Sequence, residues 1–274
     1  MAYTDIDDPS AYFQTLLYTG NGADDRALVN DGNSDLQPDW IWFKERNSTS
    51  VHQWLNSSTG VNKALTSSDD GAEETYAYLS SFDSNGFTFD QSDGSTNESS
   101  NTFVAWQWKC NGGTTETAVD ESGNNPANVR QTNTTAGFSI ISYTGTGAAG
   151  TIAHGLGAAP DLIINKKRSA SGDWDIYYGD NTDYLTLNAN SGTADNADRW
   201  NDTSPTSSVF TLGSGANSNQ DGATFVSYCF RSIQGYSKIG SYVGNGNANG
   251  AFVYTGFKPA WVMCKSTAST SDWY

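Results

Sequence analysis

A chain of 274 residues with 30 acidic against 14 basic side chains carries a formal charge of −16, which sets it against polyanionic partners such as DNA and RNA. Only 36% of its residues are hydrophobic, but 9 Trp, 14 Tyr and 12 Phe gather that apolar area into few large side chains, so aromatic-rich cores are expected. No apolar run approaches the ~20 residues of a membrane span, and residues 1–5 lack the basic-then-apolar layout of a secretion signal, so neither membrane insertion nor export by that route is expected.

In chain order, residues 1–12 hold Asp5, Asp7, Asp8 and Pro9 and read as a polar N-terminal arm or attachment segment. A first strand pattern runs from Phe13 to Tyr18, and Gly20-Asn21-Gly22 turns the chain. Pro38 then leads a strand whose residues 40–43 are all apolar. Such continuity predicts burial on both faces, with Trp40 and Trp42 on one and Ile41 and Phe43 on the other. Lys44 reads as its end, leading back to solvent. Trp54, a strand near 86–89 and a closing strand at 103–108 follow, the last presenting Val104, Trp106 and Trp108 on one face. Residues 13–110 are thus a first unit. Residues 111–136 are rich in Gly, Thr, Asn and Glu and read as a polar linker.

The same signals return. Tyr143-Thr144-Gly145-Thr146-Gly147 repeats Tyr18-Thr19-Gly20-Asn21-Gly22, Pro160 repeats Pro38, and Val226, Tyr228 and Phe230 repeat the closing face, so 137–232 is a second unit. A third set begins with Tyr242, Gly244 and Gly246 and continues with a Pro259-led strand carrying Trp261 and Met263. The Pro-to-Lys offset is six in every copy: 38 to 44, 160 to 166 and 259 to 265. Residues 236–274 lack a closing strand and read as an incomplete repeat, cut short or completed by another chain. Short strands with turn signals at intervals of roughly ten residues predict an all-β fold of tandem β-sandwich, jelly-roll-like repeat domains.

Chemistry is harder to find. His52 and His154 are far apart, and His154 before Gly155-Leu156-Gly157 reads as a turn histidine bonding backbone. The three Cys (110, 229, 264) have no CxxC spacing and read as buried free thiols. Asp83-Ser84-Asn85-Gly86 resembles the start of a calcium loop but lacks the later Glu, and reads as a turn. No metal-binding, phosphate-binding or nucleophile motif is visible, so no cofactor, no metal and no enzymatic activity are expected. The one carboxylate pair worth naming is Asp173 and Asp175 around Trp174. Trp54 occupies the matching place in the first unit, and these four are the candidate residues for glycan contact, or for glycan cleavage as the competing reading.

The three motifs together, with Tyr18, Gly20 and Gly22, Pro38, Asp39 and Lys44, and 103–108 as the first set, resemble the YTG(N/T)G…PDxxxxK…FVAWxW repeat of structural proteins from tailed phages of marine bacteria. The resemblance implies a virion appendage, foremost a tail fibre, with a capsid decoration or head fibre as the alternative. It further implies copies of itself, as in a trimer, and other virion proteins as partners, contact with a host-surface glycan, and release by lysis rather than secretion. The first unit has no match to the His-Gly-Leu-Gly turn at 154–157, and Ala260 stands in the third where Asp would.

Overall fold

Short runs of β-branched and aromatic residues between Gly, Asn and Asp turns fold almost wholly as strand. The computed structural model describes residues 4–117 and 122–274. After a short 3-10 turn (Pro9–Ala11) come β1 (Phe13–Thr19), β2 (Ala27–Val29), β3 (Trp40–Glu45), β4 (His52–Asn56), β5 (Lys63–Thr66), β6 (Glu74–Thr75), β7 (Leu79–Asp83), β8 (Gly86–Phe89) and β9 (Thr102–Trp108). Then follow β10 (Glu116–Thr117), β11 (Asn128–Asn133), β12 (Phe138–Thr144), β13 (Gly150–Ala153), β14 (Leu162–Lys167), β15 (Trp174–Tyr177), β16 (Asp183–Thr186) and β17 (Ala194–Asp195). A one-turn helix α1 (Ala197–Trp200), β18 (Val209–Leu212), a second one-turn helix α2 (Ala216–Asn219) and β19 (Thr224–Phe230) complete the regular structure.

All pairings are antiparallel. A six-stranded sheet has the order β1-β9-β3-β4-β5-β6, and an eight-stranded sheet reproduces it as β12-β19-β14-β15-β16-β17, with β11 and β10 added beyond β12. Register is shared as well: Trp108 lies opposite both Phe13 and Trp40, just as Phe230 lies opposite Phe138 and Leu162. Two smaller sheets, β2-β8-β7 and β13-β18, stand apart from the large ones.

The alternation of β3 and β14 decides the layering. Ile41, Phe43, Leu55 and Ala105 pack with Phe87 and Phe89 of the small sheet, while Ile141, Ile163 and Phe225 pack with Ile152, Phe210 and Leu212 of the other. The opposite faces of the large sheets meet each other. Trp40, Trp42, Trp54 and Trp108 share one core with Phe138, Ile140, Ile164, Trp174, Ile176, Val226 and Tyr228. Trp40 stacks on Trp108 at 4.1 Å between ring centroids and meets Tyr228 at 5.0 Å, and Trp54 meets Trp174 edge-on at 4.7 Å. Asn56 Nδ2 donates to the Tyr228 hydroxyl across the same interface at 3.0 Å. Double burial of the Pro-led strands therefore comes from a small sheet on one side and the other large sheet on the other.

The repeated Tyr-Thr-Gly motif is a loop lock. The Tyr18 and Tyr143 hydroxyls each donate, at 2.5 Å, to a carbonyl in the loop before the closing strand, Thr96 and Ser218 respectively. The next residue in each loop, Asn97 or Asn219, is fully buried and donates Nδ2 back to Ala23 or Ala148. Gly22 N and Gly147 N donate to the same two asparagine carbonyls. A Cβ on Gly20 would stand 2.0 Å from the Glu98 carbonyl oxygen, and one on Gly145 2.3 Å from that of Gln220, so only glycine lets the loops approach.

Two expectations need correction. The stretch read as a linker contributes sheet: β11 pairs with β12 along its whole length, because Val129 and its neighbours complete an edge that β12 otherwise leaves open. Residues 118–121 of that stretch lie outside the described residues. Neither an opening strand leading to the Tyr242 turn nor the Pro259-led strand forms. In both earlier units the opening and Pro-led strands pair with a closing strand between them, and 236–274 contains none. What remains of the pattern is one ladder pair, Cys264 with Tyr274, in the register of Asn165 with Asp175. Trp261, Met263 and Trp273 nevertheless pack against the tryptophan core, Trp261 meeting Trp108 edge-on at 5.6 Å.

A core shared by both large sheets makes the two halves one cooperative unit. Trp40→Ala should cost ~3–5 kcal/mol. In urea the variant and the parent should each lose tryptophan fluorescence and far-ultraviolet ellipticity in a single transition, whereas separate transitions for 13–110 and 137–232 would contradict the shared core.

Candidate functional site

The residues singled out for glycan contact are placed inside the protein. Trp54 is 1% exposed, while Trp174 and Asp175 are fully buried. None of the three can stack on or bond a sugar in solvent, and this corrects the sequence expectation: Trp54 and Trp174 sit on the sheet faces that pack together. Asp173 is half-buried and holds neighbouring loops, its Oδ1 accepting from Asn188 Nδ2 at 3.1 Å and its Oδ2 from Asn217 Nδ2 at 3.3 Å. Asp173 and Asp175 stand on the same side of the chain about Trp174, and burial, with Asp173 adding to it, raises the Asp175 carboxyl, but with Asp175 sealed in the core the two offer no solvent-facing acid–base pair.

Asp175 points into the core between β14, β15 and α1. Arg199 Nε of α1 stands 3.0 Å from its Oδ2, close enough for ion pairing but poorly directed for a hydrogen bond. Burial pushes the Asp175 carboxyl up to about 7, and the Arg199 guanidinium only partly offsets it. The guanidinium also lies over the Tyr184 ring, 4.7 Å from its centroid. Beside this pair, Asn165 Oδ1 accepts from Ser227 Oγ at 2.8 Å and lies 2.9 Å from the Tyr143 hydroxyl oxygen, whose one proton goes to the Ser218 carbonyl. The cluster anchors α1 to the sheet.

The two motif aspartates, Asp39 and Asp161, gather the chain leaving each closing strand. Asp39 is fully buried; its Oδ2 accepts from the backbone N–H of Cys110 (2.6 Å) and Gly112 (2.9 Å), its Oδ1 from Gly113 N (2.7 Å) and Ser57 Oγ (2.6 Å). Asp161 Oδ2 accepts from Ser232 N at 2.6 Å, the position equivalent to Cys110. Sequence alone marks the aspartate as part of a repeat and assigns it no role; its recurrence directly after proline in the first two units was the signal. His154 behaves as expected of a turn histidine, accepting at Nδ1 from Leu156 N and bonding the Thr206 carbonyl through Nε2, both at 3.1 Å. The Asp83 turn closes the β7–β8 hairpin, with Asp83 Oδ2 accepting from Thr88 Oγ1 at 2.7 Å. Cys110, Cys229 and Cys264 are free thiols, the first two buried.

The motif lysines correct a second expectation. Lys166 does not lead out to solvent: it is fully buried, and burial lowers its ammonium to about 8. Its Nζ donates to the Asp70 carbonyl at 3.0 Å and the Gly172 carbonyl at 2.7 Å. Around it the second unit grips the segment after β5. Trp174 Nε1 donates to the Thr66 carbonyl at 3.1 Å, Gly172 N to Asp70 O at 2.8 Å, and Glu73 N to Arg168 O at 2.8 Å. Arg168 and Glu73 add a two-pronged ion pair at 2.6 and 3.0 Å.

The third unit grips the segment after β16 in the same way. Trp273 Nε1 donates to Thr186 O at 3.1 Å, Lys265 Nζ to Asn190 O at 2.9 Å and to Ser271 O, Ser271 N to Asn190 O at 2.8 Å, and Thr193 N to Thr267 O at 2.9 Å. The two joints match atom for atom at the level of the backbone. Two open concavities are present, one of about 490 Å³ on the six-stranded sheet, between Leu17, Lys44, Val104 and Trp106, and one of about 270 Å³ around 232–238 and 254–256. Among the described residues no cluster of three His, Cys, Asp or Glu side chains is placed to hold a metal, and no helix is long and apolar enough to cross a membrane.

The raised carboxyl of Asp175 fixes the sign of a pH effect. Between its ordinary value near 3.8 and about 7, the unfolded chain releases a proton that the folded chain keeps, so this group's contribution is full below that window and is lost as pH rises through it. Thermal unfolding of the parent and of Asp175→Asn at pH 4.5 to 7 should show the parent losing relative stability by about 1.4 kcal/mol per pH unit in mid-window. A parallel pair of curves would refute the assignment.

No curated protein and no solved structure matches the chain. A family described as a domain of unknown function, DUF7483, matches residues 8–274, which include both large sheets, both small sheets and both joints. The chain belongs to the DUF7483 family.

Proposed function

We propose that this protein is a structural component of a bacteriophage virion, a tail fibre or similar appendage, built from tandem β-sandwich units that pool their outer faces. The observation that carries the reading is the recurrence of one joint, Trp174 and Lys166 on the segment after β5, then Trp273 and Lys265 on the segment after β16. A chain that repeats both its units and the contacts between them is suited to building length and rigidity, and repeated surfaces raise weak contacts by avidity. Each large sheet with its small partner sheet makes one sandwich in this reading, with β11 and β10 as an added edge on the second. The phage-repeat motifs support the assignment through roles the structure gives them: the tyrosine lock at Tyr18 and Tyr143, the aspartate clamp at Asp39 and Asp161, and the joint lysines. With Trp54, Trp174 and Asp175 committed to the interior, the proposal rests on architecture and assigns no glycan-binding residues.

Peptide mass spectrometry of density-purified particles of the encoding phage, with antibody labelling in electron micrographs, tests the role. The chain is expected in the particle at multiple copies and at an appendage. Its presence only in the lysate, after particles are removed, would dispose of the proposal.

A further inference from the structure

The two joints define what a third would look like. In each, the accepting segment offers three backbone groups: the carbonyl of a strand-ending Thr, the carbonyl four residues on, and the N–H seven residues on (66, 70, 73; 186, 190, 193). The gripping unit supplies a tryptophan, a lysine, a carbonyl two residues past the lysine, and its own carbonyl six residues past it. The first unit has the lysine and both carbonyls, Lys44, Arg46 and Ser50, and in the tryptophan's place, opposite Lys44 as Trp174 is opposite Lys166, it carries His52. Lys44 Nζ already donates to Ser50 O at 2.7 Å, as Lys166 does to Gly172 O, but its second acceptor is Ser48 O of the same loop at 3.2 Å instead of a neighbouring unit. Trp42 Nε1 donates to His52 Nδ1 at 2.8 Å, which puts the His52 proton on Nε2, a donor without an acceptor among the described residues where both tryptophans have one.

Burial tells the same story. Tyr228 and Val226 are fully covered, while their counterpart Trp106 is half-buried, Val104 is 6% exposed, and the adjacent Leu17 is 58% exposed. These three line the 490 Å³ groove with Thr15, Lys44 and Arg46. The third unit already stands beside it, with Trp261 meeting both Trp42 and Trp108.

We infer that this face of the six-stranded sheet is a third joint, built to bind a peptide segment of the β5–turn class: a short apolar strand ending in Leu-Thr and followed by an acidic or Asn-containing turn. The charge is complementary, since Arg46 holds the place of Arg168, which pairs with Glu73 in the first joint. Both segments of this class within the chain are engaged by Trp174 and Trp273, so a folded second copy has none to offer. Seating the segment gives His52 Nε2–H its acceptor and turns Lys44 towards the neighbouring carbonyl. The inference stands on the joints and not on the virion role, so the particle experiment leaves it untouched.

The test uses the whole chain and a synthetic peptide of residues 62–75. Titration is expected to give one-to-one binding by calorimetry. The His52 ring resonances, identified by their absence in His52→Phe, should shift on titration, and the Nε2 proton should exchange with solvent about tenfold more slowly. Leu17→Asp, a change at an exposed position that leaves the fold intact, should weaken binding about tenfold or more, and a peptide N-methylated at Glu73 should bind less well. Absence of binding to the parent chain, or equal binding by Leu17→Asp, would overturn the inference. So would His52 resonances that shift with chain concentration alone, which would make a second copy the occupant.

Discussion

The packing of the two large sheets through their indole-bearing faces is the constraint on which everything else depends. An antiparallel sheet ordinarily turns one face to water, and its strands then alternate apolar with polar residues. Here Trp40, Trp42, Trp54 and Trp108 occupy the face that would be wet, and they are removed from water because Phe138, Ile164, Trp174 and Tyr228 of the second sheet lie against them, with Trp261 over Trp42 and Trp108. Aromatic pairs at these separations each add about 0.5–1.5 kcal/mol beyond the area they bury. The cost is that neither sheet is stable with its partner removed.

Backbone chemistry follows from that packing. Once the large faces are in contact, the loops at their margins are desolvated and their polar groups need partners. The Asn56–Tyr228 bond, the indole-to-carbonyl bonds of Trp174 and Trp273, and the buried ammonium of Lys166 all meet that need. A lysine this deep is tolerable because two carbonyls replace its water, and the Trp174 ring 5.8 Å away adds its negative face.

Much of the strand layout was legible in sequence. Alternation in 40–43 and 103–108 assigned the right residues to each face, and the Pro-to-Lys spacing marked equivalent strands before any coordinates. The role of the second face was not legible, because a residue pattern records that a face is buried and not by what. For that reason Trp54 and Trp174, conspicuous aromatics near acids, looked like sugar platforms when they were core. Composition also misled at 128–133: Asn-Val-Arg-Gln-Thr-Asn reads as loop, yet it is held as strand by ladder bonds to β12 and by Gln131, whose side chain bonds Ser57 and Ser58 of the other sheet. The opposite error occurred at 259–265, where strand-like residues lack a ladder to join.

The joints have a further property. Apart from the Arg168–Glu73 ion pair, what the joints read on the accepting segment is main chain, so Thr66, Asp70 and Glu73 in one are answered by Thr186, Asn190 and Thr193 in the other with the backbone bonds kept. Their requirement is distance along the chain: eight residues from lysine to tryptophan in both, 166 to 174 and 265 to 273. Selection on such a contact acts on length far more than on identity. Genes for units of this kind can diverge widely, or be exchanged by recombination in whole units, and their products will still dock on one another.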